Sequence, residues 1–353
     1  MPPAPWAWVP RSPCDCRQHH RTAWTRHRQR TVEPERRRAL FLSSMPTSIR
    51  PYEPSDLKAL HELYESLVSG RVPHCWPVSE AQLADVLAAP AHLKRNKHVL
   101  LEQAVLVAAP AGGFIHVGLH GRDDGEADLG IIRFLGYPRS DRALGDALLA
   151  AGQQWLRDRG AESVCGGSPT WRYAFHGFPN CYLSDRLDHV QALLQFRGYQ
   201  KTGGEVFLDW PDMNPVVAPA PAGMTFEPVV EEEPGAGILP GIRVQARDGD
   251  QILGTCVLKS GGETSQHDEA EAFAFCEWLG VQEPWQGKGL GRYLLAHALG
   301  AARERGYRHG AISTAFDNHR AFVFYSHHGF RVVDWTYEFR LELNARTPPN
   351  DPA

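Results

Sequence analysis

Gln286-Gly287-Lys288-Gly289-Leu290-Gly291-Arg292 stands between an apolar run, Phe273 to Val281, and a segment in which Leu294, Leu295, Ala298, Leu299 and Ala302 recur at helical spacing. The run before it reads as a buried strand that ends at Pro284, and the segment after it as an amphipathic helix. A glycine-rich turn that opens a helix is suited to anions. Its backbone N–H groups lack partners, the helix dipole adds partial positive charge, and the missing side chains let a phosphate approach. Lys288 and Arg292 add full charges beside it. The stretch reads as a pyrophosphate cradle. It does not fit the dinucleotide fingerprint Gly-x-Gly-x-x-Gly, nor the P-loop ending in Gly-Lys-Ser/Thr.

Working outward, a second block follows: Asn318, Ala321, Phe324-Tyr325 and Gly329-Phe330, after an apolar strand pattern at Gly310 to Thr314. Together, Gln-x-x-Gly-x-Gly and this block resemble the acyl-CoA-binding region of the GNAT superfamily of N-acetyltransferases. The resemblance is strong over the last 75 residues and weaker back to about Ile49. It implies an α/β chain of the α+β type, with mostly antiparallel sheets splayed where acetyl-CoA inserts as co-substrate. The implied activity is direct transfer of an acetyl group to a small-molecule or peptide amine. Two alternatives stay open, another acyl donor and a non-catalytic acyl-CoA sensor.

The chain repeats itself. Pro138, Leu144-Gly145, Leu148-Leu149 and Arg159-Gly160 recur 146 residues later as Pro284, Leu290-Gly291, Leu294-Leu295 and Arg305-Gly306. Gly198-Tyr199 answers Gly329-Phe330 at an offset of 131, so the first copy carries an insertion of 15 residues around Ser168 to Arg186. The reading is a degenerate GNAT-like domain over 45–211, a Pro/Ala-rich linker over 212–223, a GNAT acetyltransferase domain over 224–345 and a tail over 346–353. In the first copy, Ile49-Arg50-Pro51 is strand-like and Ser55-Asp56 precedes a helix with Leu57, Leu60, Leu63, Tyr64 and Leu67 on one face. Strand patterns follow at His98 to Ala109, Gly113 to Leu119 and Ala127 to Leu135. Its chemistry is worn: Gln286, Gly289, Asn318 and Tyr325 are answered by Ser140, Ala143, Leu187 and Leu194. The first copy is therefore expected to be a scaffold.

In the second copy only about a dozen residues separate the strand patterns Met224 to Val230 and Ile242 to Ala246. The resemblance implies two helices there, walling the acceptor site. The first copy is the expected substitute, through the aromatic insertion Trp171 to Pro179, with Trp171 and Tyr173 as substrate-binding candidates. Packing of a long loop is the competing reading.

The resemblance assigns Leu279, Gly280 and Val281 to the pantetheine arm and thioester. It assigns Gln286, Gly287, Lys288, Gly289, Leu290, Gly291 and Arg292 to the pyrophosphate, Asn318 to the same ligand, and Tyr325 to the general acid. For the base, Glu277 is selected. Period 2 puts it on the face of Leu279 and Val281, and a carboxylate in an apolar strand is costly unless used or paired. His267 and Asp268 are fallbacks. His327-His328 has no third ligand at suitable spacing, so no metal is expected.

Composition bounds the rest. Residues 1–44 hold nine Arg, no Lys and three acids; without them 28 basic face 38 acidic residues. They read as an unstructured leader, or as sequence upstream of a true start at Met45. The acidic body argues against nucleic acid as partner. No 18-residue apolar run exists, so no membrane partner is expected. Seven scattered cysteines suit a reducing cytoplasm. A monomer or homodimer is expected.

Overall fold

A computed structural model describes residues 48–88, 90, 92–95, 98–110, 112–121, 129–216, 220–221, 224 and 228–343. All described residues lie in one compact unit, Pro46–Ala353. The expectations for residues 1–44 and for the tail over 346–353, and parts of those for the linker and the Met224 strand, fall outside the described residues.

The first half runs β1 (Ser48–Pro51), α1 (Leu57–Leu67), α2 (Glu80–Leu87), β2 (Leu93–Arg95), β3 (His98–Ala109), β4 (Gly113–Gly121), β5 (Leu129–Gly136), α3 (Arg142–Arg157), β6 (Ser163–Gly166), β7 (Leu183–Ser184), α4 (Asp188–Phe196) and β8 (Gln200–Trp210). The second runs β9 (Val229–Glu233), β10 (Gly241–Asp248), β11 (Gln251–Ser260), α5 (Asp268–Glu271), β12 (Phe273–Val281), α6 (Leu290–Glu304), β13 (His309–Ala315), α7 (His319–His327) and β14 (Arg331–Glu342). Local sequence accounts for the helix starts. Ser79 and Gln82 form a reciprocal capping box on α2, and the Asp141 carboxylate accepts from the Leu144 N–H at 3.0 Å on α3. The long α6 needs no such cap, because its first turn is the glycine cradle.

Each half is antiparallel until its fifth long strand, which lies parallel to its predecessor: β6 against β5, and β13 against β12. The parallel pairs are bridged by α3 and α6, as a parallel crossover requires. The last strands then change places. β8 ends the first half but pairs with β13 of the second, while β14 ends the second and pairs with β6 of the first. β8 and β14 also pair with each other along most of their length, so one sheet of 14 strands runs through both halves.

Two cores flank this sheet. One packs α1, α3 and α4 residues such as Leu60, Leu148 and Leu193 against β3 to β6. The other packs Leu290, Leu294 and Leu299 of α6 and Tyr325 of α7 against β10 to β13. A smaller cluster joins the halves on the sheet face away from α6. There Trp76, Phe178 and Cys181 of the first half meet Phe207, Ala270, Phe275 and Ala311, with the Phe178 and Phe275 rings stacked at 4.8 Å. His74 completes the contact, stacking on Phe178 at 4.4 Å and bonding Asp209 through Nε2 at 2.9 Å.

Candidate active site

The site grows from an interruption in the sheet. β12 pairs with β13 only from Phe273 to Cys276, opposite His309 to Ile312. Beyond Cys276, β12 follows β11 alone, while Ser313 to Ala315 of β13 follow β8. The strands splay, and one edge of Leu279-Gly280-Val281 is left without a neighbouring strand. Alternate backbone N–H groups of that edge are therefore open to a ligand.

At the mouth of the splay lies a cleft of about 450 Å³, lined by Leu279, Val281, Trp285, Gln286, Gly287, Gly289, Gly291 and Arg292 on one side. Asn318, Arg320, Ala321 and Phe324 of α7 line the other. Gly287 and Gly289 have φ of +73° and +90°, in the left-handed region. A Cβ at Gly287 would meet no atom within 4 Å, and one at Gly289 only Pro221 at 3.5 Å. The backbone conformation, rather than packing within the protein, asks for glycine here. Gln286 braces the turn by donating from Nε2 to the Val281 carbonyl at 3.0 Å. Gly289 is the α6 N-cap without any side-chain acceptor, so the first-turn N–H groups point into the cleft uncapped.

Lys288, Arg292 and Arg320 make no ion pair among the described residues, and the Lys288 ammonium sits 5.2 Å from the Trp285 ring centre. Asn318 does two things at once. It lines the cleft, and its Oδ1 accepts from the Ala321 N–H at 3.2 Å to cap α7. Tyr325 is buried behind the cleft in the α6-side core, and burial pushes its phenol well above its ordinary value. It is a proton donor, not a base, at any physiological pH.

The first half splays too, since β5 pairs with β6 only from Leu129 to Ile132, but it lacks the glycine cradle and the open cleft. At the offset of 146, the position of Gly287 is held by Asp141, whose carboxylate occupies the helix N-terminus that a phosphate would need. Between β5 and β6 only about 40 Å³ is open, and the insertion fills the slot with Ser168, Arg172, Tyr173, Cys181 and Leu183 among others.

Several expected site residues fall elsewhere. Trp171 is 1% exposed in a first-half cluster with Leu100, Ile131 and Cys165. Tyr173 is equally buried, its hydroxyl 3.1 Å from His116 Nδ1. Neither faces the cleft. Phe178 and Cys181 are the insertion residues that join the aromatic cluster with Phe275 and Ala311, while Leu183 and Ser184 pair with β14. Glu277 also lies off the face expected for it. Val257 pairs with Trp278 and Leu258 with Cys276, so Glu277 is the extra residue of a bulge. It is exposed, and Leu279 packs with Cys276 in the α6-side core, so period 2 does not carry through. No burial cost demands a use for its carboxylate. His267 caps α5 and borders a groove with the loop 69–77 rather than the splay. His328 Nδ1 lies 2.7 Å from the Phe324 carbonyl, and no metal-binding cluster occurs among the described residues. The sequence reading missed Trp285, Arg320 and Phe324. Arg320 was findable, since the first turn of α7 follows the matched Asn318 and faces the cradle.

Residues 208–330 match the acetyltransferase (GNAT) family, so the chain carries a GNAT domain over that range, from β8 to the start of β14. Solved structures agree on the fold. A tandem GNAT protein from the clavulanic acid biosynthesis pathway aligns with a TM-score of 0.57 at 15% identity, over 86% of this chain and 99% of its own. A GCN5-related N-acetyltransferase from Sphaerobacter thermophilus gives 0.53 at 19%, over 84% and 95%. The glucosamine N-acetyltransferase region of a fungal multi-domain GH3 β-N-acetylglucosaminidase gives 0.57 at 14%; the match spans 84% of this chain and 38% of that one. No curated protein matches the sequence. No helix among the described residues is long and apolar enough to cross a membrane.

Proposed function

We propose that the second half transfers an acetyl group from acetyl-CoA directly to an amine of a small molecule or peptide. The observation that carries this reading is the joining of the cradle and the splay in one cleft, with Tyr325 behind it. The uncapped N–H groups of α6, with Lys288, Arg292 and Arg320, would bind the pyrophosphate. The open edge of Leu279-Gly280-Val281 would hold the pantetheine arm and donate to the oxyanion formed when nitrogen attacks the thioester carbon. Such preorganised donors are worth roughly 10²–10³ in rate. Tyr325 would give its proton to the departing CoA sulfur and recover it from solvent. The sequence-derived base, Glu277, stands on the exposed bulge, where solvent competes for any proton it takes.

The first half would close the acceptor side. Its Trp76 and Phe178 cover the sheet face that two helices cover in a GNAT domain, and the second half has no such helices between β9 and β10. The test is CoA release from acetyl-CoA across a panel of primary amines, with the acetylated product identified by mass. Product with at least one amine, and none with Gly289→Trp, is expected. Binding of acetyl-CoA without transfer to any amine would reduce the protein to an acyl-CoA sensor.

A further inference from the structure

Glu205 lies on β8, the strand that the first half inserts into the second-half sheet. Alternation along β8 fixes its face. Val206 and Leu208 belong to the α6-side core, and Phe207 to the cluster with Trp76 and Phe178. Glu205 therefore faces the acceptor side with Phe207. β13 alternates in step: Ile312 joins the α6-side core and Ala311 the aromatic cluster, which brings Ser313 to the face of Glu205. The register partners of Glu205 are Ala315 on β13 and Thr336 on β14. Because β12 leaves β13 after Cys276, the segment Ser313 to Ala315 borders the splay. Glu205 thus sits at the acceptor-side rim, and Tyr325 reaches the same gap from the helix side, near enough for their charges to interact.

No cation pairs with the half-buried Glu205 carboxylate among the described residues; its polar neighbour on the same face is the Ser313 hydroxyl. Burial pushes its pKa up to about 6 against the opposing pull of that hydroxyl. A sheltered, unpaired carboxylate is a cost to folding, and at the rim of a reactive gap it is placed for proton transfer.

We propose that Glu205, carried by the last strand of the first half, is the general base of the second-half site. The inference rests on the acetyltransferase reading above. An acceptor R–NH₃⁺ loses two protons in becoming R–NH–acetyl. The ammonium first gives one proton to solvent, which frees the nitrogen lone pair, and Glu205 takes the second from nitrogen as the N–C bond forms and releases it to solvent. The C–S bond breaks, Tyr325 protonates the sulfur and recovers its proton from solvent, so the net change is one proton gained by CoA and one released to bulk water. The exchange of strands then has a catalytic consequence: neither half holds both the acyl-CoA cleft and the base.

The titratable groups around Glu205 are distinguishable. Tyr325 from α7 and Tyr182 from the insertion are raised by burial, and Asp334 on β14 is pushed up to about 8 by burial. Glu338, two residues beyond Thr336, is held below its ordinary value by hydrogen bonds from Arg340 and Thr202 that outweigh its burial. β13 contributes only Ser313 and Ala315. Glu277 on β12 is separated by mutation.

The experiment uses the full chain, saturating acetyl-CoA and n-butylamine as the probe, following CoA release from pH 5 to 9. Wild type should show a break near pH 6 in kcat/KM for the amine, beneath the slope set by the amine itself. Glu205→Gln should remove the break, lower turnover at pH 7 by about 10²-fold, and leave the acetyl-CoA Kd within about twofold. Glu205→Asp should recover part of the rate, and Glu277→Gln should keep both rate and break. Turnover of Glu205→Gln within twofold of wild type, a break that persists in it, or a loss of acetyl-CoA binding would overturn the assignment. If wild type binds acetyl-CoA but releases none to the amine, Glu205 falls as a base while the binding cleft stands. If acetyl-CoA does not bind at all, the acetyltransferase reading fails first.

Discussion

At the scale of single residues, Tyr325 makes the sharpest separation between binding and chemistry. Its ring packs in the α6-side core while its hydroxyl is the only part suited to proton transfer. Tyr325→Phe keeps the ring, so acetyl-CoA affinity should change by less than twofold while turnover falls by about 10²-fold. Unchanged turnover, measured with any amine found to be acetylated, would make it a core tyrosine only. Tyr325 was legible because it stands in a dense local motif with fixed spacing. Glu277 was misread because a bulge is invisible to periodicity; one extra residue between Cys276 and Trp278 shifts every later side chain. Glu205 was invisible for another reason. Its neighbours in space, Ser313, Thr336 and Tyr325, are all more than 100 residues away in the chain, and nothing local marks it.

At the scale of elements, the glycine turn and α6 were the most legible part of the chain, since cradle, helix start and apolar face all lie within one short window. The insertion was the least legible. Its aromatic and basic residues suggested a specificity loop, yet Tyr173 fills the slot between β5 and β6, and Trp171 packs with Leu100, Ile131 and Cys165. The seam between β8 and β14 carries a testable pH effect. Asp334 lies on β14 at 2% exposure, accepts from the Ser184 hydroxyl at 2.9 Å, and burial pushes its pKa up to about 8. An unfolded Asp titrates near 4, so the folded chain holds a proton there that the unfolded chain loses. Stability from this group is full below about pH 4 and is lost as the pH rises toward and through about 8. Thermal unfolding should show wild-type Tm declining from pH 5 to 9, and Asp334→Asn should flatten that decline. A variant with an unaltered slope would show that Asp334 is already ionised at pH 5.

At the scale of the whole molecule, the sequence repeat announced two related halves, and the motif resemblance implied the fold class. What the repeat could not announce was the exchange of β8 and β14, because strand partners are chosen by packing among distant segments rather than by local pattern. The exchange makes the proposed boundary near residues 212–223 a boundary of the repeat rather than of a sheet. A fragment beginning at Pro221 would strip β8 from β13 and both β6 and β8 from β14. It should fail to fold, reading as loss of cooperative unfolding by circular dichroism, and the intact chain should unfold in a single transition for the described body. A soluble, cooperatively folding fragment would show that β14 can return to its own half.

The central claim is that one half of this repeated protein holds acyl-CoA and the other cannot. Calorimetric titration of the intact chain with acetyl-CoA separates the two halves, with Gly289→Asp as the companion variant, since Gly289 is the α6 N-cap and that change puts there the residue type that caps α3. One site per chain is expected in the wild type and none in Gly289→Asp. Two equivalent sites, or one site that survives Gly289→Asp, would overturn the claim.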